Sequence, residues 1–386
     1  MKSIRETEAY KDKVRGCLIG GAAGDALGYA IEFDSEDEIF SRFGRPGITE
    51  YELNGRSGKA VISDDTQMTL FTANGLLVGD TRGCVRGIQG PPRGYVALAY
   101  HDWLRTQELS YEESRKKPRI PGKGPVSWLL DVPELFRRRA PGNTCLSALT
   151  YGQPESDDYI LEHLNNSKGC GGVMRVAPLA LNYNLADIGK LDYEGAQIAA
   201  ITHGHSLGYM PAAVLVHIIN RIVFSQKEMS LKDIVIEARD TAAKIFEGDK
   251  HLDELTGLID MAIRLSENDD SDLNNIHRLG EGWVAEETLA IAIYCALRYQ
   301  DDFSGGIIAA VNHKGDSDST GAVTGNILGA LLGYKAIDEK WKKDLELKNV
   351  IIEMADDICR GCQLSGYRES EDPDWERKYI HMKWKK

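Results

Sequence analysis

The sequence predicts an all-α fold that occupies residues 1–386 as a single domain, and three observations carry that prediction. Eight segments repeat their apolar residues at helical period: 14–27, 66–77, 95–104, 198–221, 231–246, 252–265, 286–299 and 350–359. Alternating strand patterns are scarce, and no linker rich in Pro, Gly or Ser divides the chain. With 42% of its 386 residues hydrophobic, the chain can bury a substantial core. Heptad runs, low-complexity tracts and clear internal repeats are missing.

The first helical segment lies in GCLIGGAAGDALG, where Gly16, Gly20, Gly24 and Gly28 recur every four residues and so share one helix face. Gly321, Gly325, Gly329 and Gly333 repeat that spacing near the other end. A glycine inside a helix costs about 0.8–1 kcal/mol against alanine, so two such stripes imply close backbone approach to compensate. Both are expected to be central, tightly packed helices. A dinucleotide-binding loop fits the first stripe poorly, because Gly20, Gly21 and Gly24 do not make GxGxxG and no strand precedes them. The Walker A pattern is absent as well.

The second segment starts at ISDDTQMTL, where Ser63, Asp64, Asp65 and Thr66 precede an apolar run. The second glycine stripe starts in the same way, with Asp316, Asp318 and Ser319 in GDSDSTG. One such residue suffices to cap the exposed amides of a helix. Two carboxylates at each helix start exceed that need and would repel one another without a cation. Asp316 and Asp318, two apart in an extended approach, can face the same way, whereas Asp64 and Asp65 diverge and can reach separate ions. Two divalent cations would neutralise the four carboxylates. All-oxygen ligands suit magnesium, calcium or manganese, and no HExxH or paired CxxC pattern points to zinc.

The remaining segments complete a helical chain joined by loops. TRGCVRGIQGPPRG from Thr81 and RKKPRIPGKGP from Arg115 read as long loops, because Pro and Gly interrupt any helix there. ENDDSDLNN from Glu267 lacks the glycine and terminal glutamate of a calcium loop and reads as a solvated connection. Glu286 and Glu287 are expected to open the helix of residues 286–299. The CRGC pair of Cys359 and Cys362 reads as incidental spacing on a C-terminal helix.

Composition narrows the function. A net charge of -13 disfavours nucleic acid, whose phosphates are bound through clustered Lys and Arg. No apolar run reaches the length of a membrane helix, and MKSIRETEAYKDK lacks a secretory core. Seven scattered cysteines favour reduced thiols, and a cytoplasmic protein is the expectation.

Six segments in order, GCLIGGAAGDALG, ISDDTQMTL, KGCGGVMRVAPLAL, ITHGHSLGY, GWVAEETLAIAIYCAL and GDSDSTGAVTGNILGALLG, resemble the ADP-ribosylglycohydrolase family over most of the chain. The resemblance implies a compact helical fold with a binuclear magnesium cleft, manganese being an alternative ion. It also implies removal of ADP-ribose from a modified side chain or a small ADP-ribosyl compound. Carried over by motif, Ser63, Asp64 and Asp65 match one metal-binding trio and Asp316, Asp318 and Ser319 the other. Relatives often place threonine at the positions of Ser63 and Ser319, and serine keeps the hydroxyl oxygen.

Asp64, Asp65 and Asp318, with Glu32 of YAIEF, are the expected catalytic carboxylates. Glu32 is the first candidate for proton exchange, because it lies outside the metal motifs. Gly171, Gly172 and Met174 of the glycine-rich segment are expected beside the ADP-ribose, whose phosphate and ribose oxygens backbone amides can approach where side chains are small. His203 matches a histidine that similar proteins place near the nucleotide, and His205 has weaker support. Gly142 and Asn143 of PGNTCLSAL form a further substrate-side turn or simply a helix start. The leading substrate is ADP-ribosyl-arginine. Serine-linked and small-molecule ADP-ribosides are alternatives, as are two-metal phosphoryl hydrolysis and a non-catalytic protein that binds ADP-ribose or a toxin.

Overall fold

The computed structural model describes residues 7–117, 125–152, 154–185, 187–366 and 371–384. Among them all regular structure is helical, apart from isolated bridges pairing Ala60 with Leu345 and Gly169 with Val284. The first glycine stripe lies in the helix Glu8–Gly28 and the second in the helix Ser317–Leu332. Each stripe is the other's partner. A Cβ built on Gly16 would lie 2.1 Å from the Gly329 carbonyl oxygen, one on Gly20 2.3 Å from that of Gly325, and one on Gly24 1.9 Å from that of Gly321. One on Gly28 would lie 2.1 Å from the Ser317 oxygen.

Rising partners in one helix meet falling partners in the other, so the two run antiparallel with their backbones in contact. The end of the first helix therefore lies beside the start of the second. This is what brings the turn carrying Glu32 to Asp316 and Asp318. Gly333 departs from its expected place in the stripe: it caps the helix at φ 85°, a conformation that favours glycine.

Buried apolar side chains form one cluster that runs from Tyr10 to Tyr379. One of its helices, Ser206–Phe224, has the length and composition of a membrane span, contrary to the expectation that no such run exists. However, 94% of that window is buried inside the protein, as befits a core helix.

Most predicted helices recur within a few residues of their expected bounds, among them Pro92–Glu108, Leu231–Ile245, Leu252–Ser266, Ala285–Arg298 and Lys348–Arg360. Three expectations need correction. The segment 198–221 is not one helix: Ile188–Ala200 ends, and Ser206–Phe224 begins after a turn. Gly204 in that turn packs on Asn165, whose backbone oxygen would lie 2.4 Å from an added Cβ. The loop expected from Thr81 is helical to Arg86, because Asp64–Arg86 continues to an αL cap at Gly87. Trp375 Nε1 donates to Thr81 Oγ1 at 2.8 Å there, so the C-terminal segment packs on this last stretch. The solvated connection from Glu267 shrinks to a few residues before the helix Asp272–Leu279, in which Asn275 is fully buried. Residues 118–124, the centre of the expected loop from Arg115, lie outside the described residues.

Candidate active site

Asp25 ties the first acidic helix to the first glycine helix. Its fully buried carboxylate accepts from the Ser63 amide at 2.9 Å, the Thr66 amide at 3.1 Å and the Thr66 hydroxyl. Three donors on one carboxylate satisfy the helix start from outside. Ser63 Oγ adds a cap by accepting from the Asp65 amide at 3.2 Å. At the other helix, Asp316 Oδ1 accepts from the Ser319 amide at 3.2 Å and Asp318 Oδ1 accepts from it at 2.9 Å. Asp316 is thus a cap and Asp318 a first-turn residue, so the expected extended approach is replaced by a helix start.

The two acidic starts meet. Glu32, Asp64, Asp65, Asp316, Asp318 and Ser319 line one cavity of about 310 Å³ together with Asn143, Gly171, Met174 and His203. Gly142 and Asn143 do start a helix, Asn143–Tyr151, and also face this cleft. Two of the expected residues lie behind its wall. Ser63 is buried under its capping bond, and Gly172 packs where a Cβ would lie 2.6 Å from the Gly208 carbonyl. His205 lies away from the cleft: it caps the helix Ser206–Phe224 and packs with its ring tilted against His251, 4.5 Å between ring centroids. A larger groove of about 750 Å³ lies elsewhere, but its Asp80 already accepts from Gln89, Asn182 and Tyr183 at 2.7 Å each. Chemistry follows the orphaned groups, not the larger volume.

Electrostatics single out the smaller cleft. Burial, with the negative charges of Asp316, Asp64 and Asp25, pushes the Glu32 carboxyl up to about 9. Burial and their neighbours likewise hold Asp64, Asp65 and Asp318 well above the usual carboxylate range, and Ser319 offsets part of the rise at Asp65. Glu32 Oε2 and Asp65 Oδ2 are buried without a hydrogen-bond partner. Such a cleft takes up protons or cations.

Among the described residues no three Asp, Glu, His or Cys side chains converge on a ready-made metal position. Magnesium does not demand one, since it keeps several waters and binds through one or two carboxylates. The all-oxygen donor set and the two orphaned carboxylate oxygens fit such an ion.

The glycine-rich segment serves a purpose that spacing did not reveal. A Cβ on Gly171 would lie 2.9 Å from His203 Cε1, and one on Gly169 3.3 Å from His203 Nε2, so these glycines seat the imidazole. Burial, aided by the Arg175 charge, lowers its pKa to about 3. Thr202 Oγ1 accepts from Arg175 at 2.6 Å and lies 2.8 Å from His203 Nδ1. Cys170 donates its thiol to Asp316 Oδ2 at 2.8 Å.

Two further contributors escaped the sequence reading. Asp25 sits unremarked inside a quoted glycine stripe. Trp283 stands before the helix Ala285–Arg298, on a loop braced at both sides: its carbonyl accepts from the Cys170 amide at 3.2 Å, and the Glu281 carbonyl from the Asp316 amide at 2.8 Å. Glu287 steadies the same loop by accepting from the amides of Glu281 and Gly282, while Glu286 pairs with Lys168. Both glutamates open the helix as expected and also act as braces.

The helical scaffold thus brings two acidic helix starts onto one cleft. The ADP-ribosylglycohydrolase family model matches residues 6–368, and the chain belongs to that family. The chain is 25% identical over 354 residues to the uncharacterized protein YegU of Escherichia coli, covering 88% of this chain and 93% of the relative. It is 28% identical to the ADP-ribosylhydrolase ARH3 of Mus musculus, covering 86% and 87%. It is also 22% identical to the ADP-ribosyl-[dinitrogen reductase] glycohydrolase of Rhodospirillum rubrum, covering 87% and 91%. A solved ADP-ribosylglycohydrolase-related protein complex shares the fold, with a TM-score of 0.61, 23% identity, and coverage of 92% and 99%. The protein is therefore an ADP-ribosyl hydrolase.

Proposed function

We propose that this hydrolase is magnesium-dependent and releases ADP-ribose from modified arginine side chains in the cytoplasm. The observation that carries the reading is the convergence of both acidic helix starts on a cleft that holds orphaned oxygens of Glu32 and Asp65. Asp64, Asp65, Asp316, Asp318 and Ser319 are the residues that would hold the ions. When bound, magnesium supplies charge for the ribose hydroxyls and a water of lowered pKa.

The chain's own residues do the rest. Asp64 and Asp65 hold their place through Asp25 and the Ser63 cap, so the ribose meets a fixed wall. Glu32 stands outside both metal motifs on a separate turn, and we assign it the proton that the leaving nitrogen must collect as the glycosidic bond breaks. His203 is held neutral, and its ring stays a hydrogen-bonding group for ribose or phosphate oxygens instead of a second cation. Met174 and Asn143 complete the lining of the cleft.

The experiment is a product assay on arginine- and serine-linked ADP-ribosyl peptides, with magnesium or chelator, beside Asp316→Asn. Free ADP-ribose, metal-dependent and lost in the variant, is the expected result. AMP or ribose phosphate would indicate phosphoryl chemistry, and unchanged ligand a binding protein. Release from the serine peptide alone would move the linkage assignment.

A further inference from the structure

Nine large hydrophobic side chains are exposed among the described residues, and two of them, Phe33 at 73% and Trp283 at 41%, line the cleft. They also stack on each other, with ring centroids 6.4 Å apart and planes 23° from parallel. Burial does not explain such a pair. Neither ring is on slack chain. Phe33 follows Glu32 directly, and the Trp283 loop is bonded to Cys170 and Asp316 on either side. Gly282 in that loop has φ 81°, and an added Cβ would lie 2.7 Å from Thr320 Cγ2. The fold fixes an aromatic face at the mouth of a cleft lined with carboxylates.

We propose that Phe33 and Trp283 form the leaving-group subsite, and that the group it takes is a guanidinium. The proposal rests on the reading of the cleft given above and deepens it. The carboxylates take the terminal ribose, so whatever sits beside Glu32 and Asp316 faces the bond that is cut. Adenine lies a diphosphate and a second ribose away from that bond. A guanidinium is planar, delocalised and weakly hydrated, and it stacks on aromatic faces, indole best of all. Its N–H groups need an acceptor, and Glu32 Oε2 is buried beside Phe33 with no partner. A seryl oxygen offers the pair neither plane nor charge.

The test measures kcat/KM for two peptides that differ only in arginine- or serine-linked ADP-ribose, in wild type, Phe33→Ala, Trp283→Ala and Trp283→Phe. The arginine-to-serine ratio is expected to fall about tenfold in each alanine variant, the size of a cation–π contact, and to recover largely in Trp283→Phe. ADP-ribose affinity, read by calorimetry, is expected to stay within about twofold of wild type in all variants, because the product lacks the leaving group. An unchanged ratio, or equal losses on both linkages with weakened ADP-ribose binding, would overturn the proposal, the latter making the pair an adenine platform. A separate arm titrates ethylguanidinium against ethylammonium and follows the indole N–H resonance that Trp283→Phe removes. If wild type cleaves neither peptide while that resonance shifts with ethylguanidinium alone, the hydrolase reading fails and the subsite stands. If it does not shift, the subsite fails.

Discussion

The carbonyl oxygen of Gly321 lies 1.9 Å from where a Gly24 side chain would begin, and that of Gly24 lies 2.5 Å from the same point on Gly321. Each helix fills the space of the other's missing side chain. The contact sets the height at which the Glu8–Gly28 helix ends beside the Ser317–Leu332 helix, and hence the distance from Glu32 to Asp316 and Asp318.

Gly24→Ala is therefore expected to destabilise the protein by about 1–3 kcal/mol or more, as overpacking against backbone does. Helix propensity alone predicts the opposite sign, a gain of about 1 kcal/mol. Gly257 supplies the control: it is exposed in the helix Leu252–Ser266 with nothing near its virtual Cβ, so Gly257→Ala should stabilise by about that amount. Urea denaturation of the two variants checks both signs.

Asp25 touches no expected substrate position but fastens Ser63 and Thr66. Asp25→Asn keeps one acceptor and turns a donor towards one of those groups. A loss of about 1–3 kcal/mol in stability is expected, together with weaker divalent-ion binding, because Asp64 and Asp65 stand on the loosened turn. Denaturation and calorimetric titration with manganese read the two effects separately. A stable variant with unaltered ion affinity would deny Asp25 a positioning role.

His203 gives a pH dependence of definite sign. Its pKa is about 3 when folded and about 6.5 when unfolded, so the neutral ring favours folding above pH 6.5. That contribution falls as pH drops from 6.5 towards 3, because the unfolded chain takes the proton first. Between about pH 7 and about pH 5 the stability difference between wild type and His203→Gln should move by about 2 kcal/mol against wild type. Comparing the two proteins cancels the carboxylates, whose raised values act in the opposite direction. A difference that stays flat over this range would contradict burial of a neutral imidazole.

Long amphipathic helices were legible because their periods are strong and their packing agrees with them. The glycine stripes announced close approach by spacing alone, though nothing in the spacing named each as the other's partner. The break at residues 201–205 was hidden, because apolar residues continue the helical period straight through it while Gly204 docks on Asn165. That tertiary contact also places His203. The helix through Thr81 was hidden for a similar reason: its glycines suggest a loop, and the C-terminal segment that packs on it is some 290 residues away in the chain. At the cleft, repeated Ser and Asp at two helix starts made the acidic residues visible. Asp25 and Trp283 gave no local signal, since one acid in an apolar helix and one aromatic in a loop acquire meaning only from their neighbours.

The central claim is that Asp64 and Asp65 share divalent ions with Asp316 and Asp318, and the most direct measurement is the anomalous diffraction of crystals grown with manganese. Two peaks are predicted between the two helix starts, with Asp316→Asn removing at least one of them. Ordered side chains with no peak in the cleft, or peaks only at surface carboxylates, would contradict the account.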